Sequence, residues 1–399
     1  MSDHPILGQV ALGYSPMIDR HRAIVATRLT VFPGRPDAQL DAASLLDAVA
    51  EVWPEGGGSA SLNVLSETLL ADLLRARPST NLMIEVPAFL AGEPDNVAAL
   101  QQLKAHGTSL LLKGRPLKEL PREVLPCFRW AIVDLSEDRR VGETAAPAGV
   151  SRSIPFVQQG VRTLAELDAS FQRGAAAVLG WPIDDAVKVQ ASGKGGARPD
   201  LQVVVELINR VDRGDEIDAL ENTLKRDPTL AYKLLRYINS PLFGLRVEIN
   251  SFRHAIMLLG YQKLKRWLAL LLATAGKDDN LKPVMFAAVR RGLLMEELAR
   301  GHGDDEMRSE IFICGVFSLL DKMFGEPFDA LLKTLPVPER VQQALAAGSG
   351  PFHPYLKLVH AIESESLYDL REAAEPLFMG PQEINRSVLR ALAAASQLE

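Results

Sequence analysis

Residues 227–260 read DPTLAYKLLRYINSPLFGLRVEINSFRHAIMLLG, and almost every boundary in this stretch has a physical signal. Asp227 is an N-cap type, and Pro228 suits the first helical position, where a missing N–H costs nothing. Leu230, Leu234, Tyr237 and Ile238 follow at i, i+4, i+7 and i+8, which makes one buried helical face. Asn239 tolerates the left-handed conformation that ends a helix, and Pro241 forbids continuation. Ser251 is a second N-cap candidate, followed by Phe252, Ala255, Ile256 and Leu259 at helical spacing, with Gly260 closing the turn. A third stripe runs through Leu264, Trp267, Leu268, Leu271 and Ala275. Its opposite side carries Gln262, Lys263 and Arg266, with Lys265 on the flank. Those cations sit in the first turns of a helix, where the macrodipole disfavours them slightly. They read as a solvated face or as a contact surface for an acidic partner. His254 has no second His or Cys at ligand spacing, so capping or packing accounts for it. The stretch predicts a packed helical module whose product is a surface rather than a reaction.

The rest of the chain frames that module. A length of 399 residues predicts about two domains. The composition, 47% hydrophobic and 24% charged, is that of a globular protein, and the net charge of -6 argues against a dedicated nucleic-acid binder. Two cysteines, Cys127 and Cys314, cannot make a disulfide framework. Met1–Val10 lacks the pattern of a signal peptide, and the apolar run Trp267–Ala275 is well short of the ~20 residues of a membrane span. A cytoplasmic protein with no membrane segment is expected.

The N-terminal half alternates strand and helix patterns. Strands are predicted at Val10–Leu12, Ile24–Val31, Ser61–Val64, Leu82–Val86, Ser109–Leu112, Trp130–Leu135, Ile154–Val157 and Ala176–Leu179. Helices are predicted at Asp41–Val52, Glu67–Arg75, Asp95–Ala105, Leu117–Glu123 and Thr163–Arg173. Such alternation implies βα units and a mostly parallel sheet. Eight strands in fewer than 190 residues suggest a (β/α) barrel trimmed below the usual ~250 residues, with a helix lost in Ser136–Ser153. Lys188–Asp200, KVQASGKGGARPD, reads as a linker. Beyond it every pattern is helical: Leu201–Arg213, Asp215–Arg226, Thr229–Asn239, Phe252–Leu259, Tyr261–Ala275, Pro283–Arg300, Glu306–Phe324, Glu339–Ala347, Pro354–Leu370 and Pro381–Ser396. The expected architecture is an α/β barrel over 1–187, a linker over 188–200 and an all-α domain over 201–399.

Asp227-Pro228, Leu234-Leu235, Asn239-Ser240, Ala255-Ile256 and Leu259-Gly260 together resemble the HDOD domain, a non-catalytic relative of the HD-type phosphohydrolases, over about Leu201–Leu377. In the catalytic relatives a Gly-x-x-His-Asp helix binds metal. The matching helix here reads Gly315-Val316-Phe317-Ser318-Leu319-Leu320-Asp321, with Ser318 and Leu319 at the doublet. A hydroxyl and an isobutyl group cannot replace an imidazole and a carboxylate as ligands.

HDOD domains are often preceded by a barrel resembling the EAL phosphodiesterases, which cleave cyclic di-GMP with two metals. Tyr14-Ser15-Pro16-Met17 followed by Ile24–Phe32 looks like that family's opening strands. Where the family has Glu-Ala-Leu, this chain has Arg28-Leu29-Thr30. The resemblance implies that Asn63, Glu85 and Asp134 are retained positions. It also implies that the Asp-Asp pair falls on Lys113 and Gly114, that the Glu-x-x-Glu run becomes Gln159-Gly160-Val161-Arg162, and that a late Gln-Gly becomes Leu179-Gly180. Two-metal hydrolysis needs several carboxylates holding ions about 3.5–4 Å apart. Three survivors beside Arg28, Lys113 and Arg162 do not supply them, and read as polar strand ends in a barrel mouth.

Other motifs fail. Gly56-Gly57-Gly58 and Gly193-Lys194-Gly195 lack the residues of a phosphate loop, and no Cys or carboxylate completes a metal set with His353 and His360. The expectation is therefore a non-catalytic signal-transduction scaffold, with no cofactor, acting through other signalling proteins and presenting Lys263, Lys265 and Arg266. The alternative is a non-hydrolysing cyclic di-GMP receptor that pairs phosphates with Arg28, Lys113 and Arg162. A metal-dependent phosphodiesterase comes last.

Overall fold

The computed structural model describes residues 4–116, 119–138, 154–185, 199–224, 252–274, 279–301, 304–333 and 337–396. Its compact units are Met1–Asp185 together with His360–Leu389, and Ala186–Val359 together with Arg390–Glu399.

The first unit holds a closed barrel of eight strands in sequence order. They are β1 (Val10–Ile18), β2 (Ile24–Pro33), β3 (Ala60–Val64), β4 (Leu82–Pro87), β5 (Ser109–Lys113), β6 (Phe128–Asp134), β7 (Phe156–Gln159) and β8 (Ala177–Leu179). β1 is antiparallel to both β2 and β8, and every other pairing is parallel. All eight predicted strands are present. Three of the helices between them start on side-chain caps. Asp41 accepts from the Ala43 and Ser44 backbone N–H groups, Ser66 from Leu69, and Thr163 forms a capping box with Glu166.

Strand alternation builds the barrel interior in layers. Met17, Ala26, Met83, Leu111, Ile132, Val157, Ala177 and Leu179 pack into an apolar floor. Two residues further toward the carboxyl ends of the parallel strands, the same faces carry Arg28, Glu85, Lys113, Asp134 and Gln159. The change from apolar to polar over two residues on these five strands is what makes this end of the barrel a candidate site.

Two sequence expectations fail here. Glu119–Glu123, the described part of the helix expected at Leu117–Glu123, is not helical. Pro121 lies in it, and the chain enters a 3-10 turn at Leu125–Cys127 instead. The expected helix Pro354–Leu370 is two helices, His353–Glu363 and Leu367–Ala374. Ser366 caps the second by accepting from the Asp369 N–H, and Glu365 turns the chain at φ 53.

His360–Leu389 thus packs with the barrel, whereas the sequence suggests one helical domain from 201 onward. The reason is a set of long-range bonds that a local pattern does not reveal. Asn385, 1% exposed, donates to the carbonyls of Leu7 and Val10 and accepts from the Leu12 N–H, at 2.7, 2.7 and 2.9 Å. Arg371 donates to the Gly34 carbonyl at 2.7 Å.

In the second unit all described elements are helical. The helix expected at Thr229–Asn239 and the turns on either side of it lie outside the described residues, as does the linker up to residue 198. From Phe252 onward the sequence pattern is realised: Phe252–Thr274 is interrupted at Gly260, whose φ of 67 and ψ of 172 separate two helices. The expected helix Glu306–Phe324 divides into Asp305–Phe317 and Leu320–Phe324. The Ser318 hydroxyl donates to the Gly315 carbonyl at 2.7 Å and so offers the backbone an alternative to the next helical turn.

Helices Lys282–Leu298 and Asp305–Phe317 approach through paired glycines. A Cβ on Gly315 would stand 2.6 Å from the Arg291 carbonyl oxygen and 2.7 Å from the Gly292 Cα, both backbone atoms. Gly315→Ala is therefore expected to destabilise this unit by about 1–3 kcal/mol. A thermal melt that matches the parent would contradict this packing.

Candidate functional site

The polar layer above the barrel floor is a connected network. The Arg28 guanidinium, 2% exposed, grips Glu85 with two bonds: Nε to Oε1 at 2.8 Å and Nη2 to Oε2 at 2.7 Å. Ser61 donates to Glu85 Oε1 at 3.1 Å. Lys113 Nζ donates to Asn63 Oδ1 at 2.7 Å, and Asn63 Nδ2 donates to the Thr30 hydroxyl oxygen at 3.0 Å. Thr30 Oγ1 in turn donates to Glu365 Oε1 at 2.6 Å, and Arg28 Nη1 donates to Glu365 Oε2 at 3.2 Å.

The strands explain the placement. Arg28 stands opposite Ser61 and Thr30 opposite Asn63 in the β2–β3 register. Glu85 sits on β4 and Lys113 on the last residue of β5. Four ionised groups meet, with two cations balanced by two carboxylates. Burial alone would lower the Arg28 pKa, but Glu85 and Glu365 outweigh it and hold the guanidinium above its ordinary value. Burial lowers the Lys113 pKa, Arg28 pushes the same way, and Glu85 and Glu365 oppose both.

The Lys113 shift has a sign that can be measured. Folding favours its neutral form, so Lys113 gives stability that grows as pH rises through its depressed folded pKa toward the ordinary 10.5. The melting-temperature difference between parent and Lys113→Met should therefore move in the parent's favour from neutral pH toward 10.5. A difference independent of pH would contradict the shift.

The other positions named from the sequence are not part of this network. Asp134 turns to its own chain and accepts from the Ser136 N–H at 2.9 Å and the Ser136 hydroxyl at 2.6 Å. Arg162, with 65% of its side chain exposed, pairs with Asp184 at 2.7 Å. The expected trio of Arg28, Lys113 and Arg162 is thus not assembled: Arg28 and Lys113 share one network and Arg162 has a different partner. Among the described residues, no group of three or more His, Cys, Asp or Glu is placed to hold a metal ion.

In the helical unit, Ser318 accepts from Arg291 Nη1 at 3.2 Å and Leu319 is buried. The basic side of the helix after Gly260 is largely engaged within the unit. Arg266 pairs with both carboxylate oxygens of Glu296 and lies 4.0 Å over the Phe312 ring. Lys265 pairs with Asp212, and Lys263 is exposed. Cys127 and Cys314 are buried free thiols, and burial pushes the Cys314 pKa up to about 12. At neutral pH Cys314 is a protonated, weakly nucleophilic thiol.

The HDOD domain model matches residues 199–325. Residues 199–325 are an HDOD domain. The chain is 22% identical over 335 residues to the cyclic di-GMP phosphodiesterase CdgJ of Vibrio cholerae, covering 83% of this chain and 77% of CdgJ. It is 31% identical over 166 residues to the uncharacterized protein YuxH of Bacillus subtilis, which is 40% of this chain and 40% of YuxH. The chain therefore spans less than half of YuxH in that match. The barrel region resembles EAL-domain structures, among them the PaMucR phosphodiesterase in complex with c-di-GMP. That match has 16% identity and a TM-score of 0.34, and covers 44% of this chain and 91% of that one. The chain combines a closed eight-stranded barrel with a helical region that contains the HDOD match, as the sequence predicts. No described helix is long and apolar enough to cross a membrane.

Sequence reasoning missed Glu365, Thr30 and Ser61. Thr30 and Ser61 lie two residues from Arg28 and Asn63 on their strands, so the period of two could have found them. The turn that carries Glu365 is signalled by the polar run Glu363-Ser364-Glu365-Ser366 and by the capping pattern Ser366-Leu367-Tyr368-Asp369.

Proposed function

We propose that this HDOD protein is a non-catalytic signalling protein: a pseudo-phosphodiesterase barrel carrying an HDOD module that contacts other proteins. The observation that carries the reading is the Arg28–Glu85 pair. The Glu85 carboxylate, which would otherwise suit a metal cation, is bound at both oxygens by a buried guanidinium. Arginine does not lose its proton in proteins, so it cannot become a ligand and it repels a metal beside it. Lys113 adds a second cation to the same mouth.

The name of CdgJ makes a cyclic dinucleotide the natural ligand to try, and makes hydrolysis the competing reading. Titration of the metal-free full chain with Mn2+ and Mg2+ by calorimetry tests the proposal. No saturable binding is expected, and stoichiometric binding lost in Glu85→Gln would overturn it. Within the HDOD module, Lys263 is the basic residue to probe for a partner. Reversing Arg266 would break its pairing with Glu296 and its contact with Phe312 before it tested any surface.

A further inference from the structure

Glu365 does more than close a network. It is a non-glycine residue in the left-handed region, at φ 53, in the turn between two helices. Such a conformation is strained and persists where surrounding contacts hold it. Those contacts belong to the barrel mouth: Arg28 and Thr30 bind the carboxylate. On the rim, Trp181 Nε1 donates to the Glu363 carbonyl at 3.1 Å. Gly13 on β1, opposite Thr30 in the sheet, leaves room for the turn. A Cβ there would come within 2.9 Å of the Ile362 carbonyl oxygen and 3.1 Å of the Glu365 Cα.

The charge arrangement says what Glu365 replaces. Without it the hydrogen-bonded network holds two cations, Arg28 and Lys113, against the single carboxylate of Glu85, since Asp134 on the same layer is turned to Ser136. With it the charges balance. The hydroxyl of Thr30 and Nη1 of Arg28, the guanidinium nitrogen that Glu85 leaves free for Glu365, are donors suited to a phosphate oxygen as well as to a carboxylate. We infer that Glu365 is a built-in occupant of the barrel mouth, filling an anion site formed by Arg28, Thr30 and Lys113 that takes a phosphate or phosphodiester group when the His360–Leu389 segment withdraws. The segment runs on in sequence into the helical unit at both ends, so that unit has a covalent route to the site. The inference rests on the reading of the barrel as non-catalytic.

The test compares the full chain with Glu365→Gly and Glu365→Gln. Glycine suits the backbone at φ 53, so the first variant removes the carboxylate without a folding penalty at that turn. Glutamine keeps the shape and removes the charge. Binding of cyclic di-GMP and of inorganic phosphate is measured by calorimetry in metal-free buffer. At least one of the two ligands should bind Glu365→Gly about tenfold more tightly than the parent or better, because the competing closed form is removed. Adding Lys113→Met should cancel the gain. A gain with phosphate alone identifies an isolated phosphate as the ligand, and a gain with the dinucleotide alone identifies its phosphodiester. Equal affinity in parent and both variants, or no binding in any of them, overturns the inference. These readouts are of binding alone, so hydrolysis would count against the non-catalytic reading separately.

Discussion

Replacing Arg28 with methionine destabilises the barrel by about 3–5 kcal/mol, because it leaves Glu85 charged and buried without its partner. Glu85 is 1% exposed, and both of its oxygens are held by Arg28. Ser61 remains as a neutral donor, and Lys113 reaches Asn63 rather than Glu85. Denaturant unfolding of parent and variant measures the loss. Combining Arg28→Met with Glu85→Leu should recover most of it, since a buried ion pair replaced as a unit by apolar groups is often neutral. A single variant within about 0.5 kcal/mol of the parent, the range of an ordinary surface change, would mean that the pair does not hold the mouth together.

Asn385→Ala should cost nearly as much, about 2–5 kcal/mol. The side chain supplies three hydrogen bonds to the backbone of Leu7, Val10 and Leu12, and its removal leaves two carbonyls and one N–H buried. Each unmet buried group costs about 1–3 kcal/mol, partly recovered where water enters. The second consequence is local. The C-terminal segment loses its best-buried polar tie to the barrel, so limited proteolysis should cut within His360–Leu389 faster than in the parent. Unchanged cleavage together with unchanged stability would contradict this docking.

Most of the architecture is legible in the sequence because it is written at short range. The eight strands follow from a period of two and from turn residues between them, and Gly260 ends its helix as the pattern indicates. Arg28, Glu85 and Lys113 all stand out in the sequence, but as separate gains and losses against a family pattern. Their union depends on the barrel, in which β2 and β4 flank β3 and residues 57 apart in sequence meet. Arg162 looks equivalent to Arg28 by charge alone, yet its strand end directs it to Asp184. Glu365 is obscured for another reason. The polar run Glu363-Ser364-Glu365-Ser366 can be one exposed turn of a continuous helix, and the Ser366 cap marks the break. The bonds from Asn385 and Arg371 that bring this segment to the barrel leave no periodic trace.

The proposed absence of phosphodiester hydrolysis rests on the buried Arg28 guanidinium that holds both oxygens of Glu85. The most direct measurement is incubation of the purified full chain with cyclic di-GMP and Mn2+ or Mg2+, with the nucleotides separated by chromatography. The dinucleotide should be recovered intact, both from the parent and from Glu365→Gly with its mouth unblocked. Metal-dependent appearance of a linear dinucleotide in either protein would contradict a non-catalytic barrel.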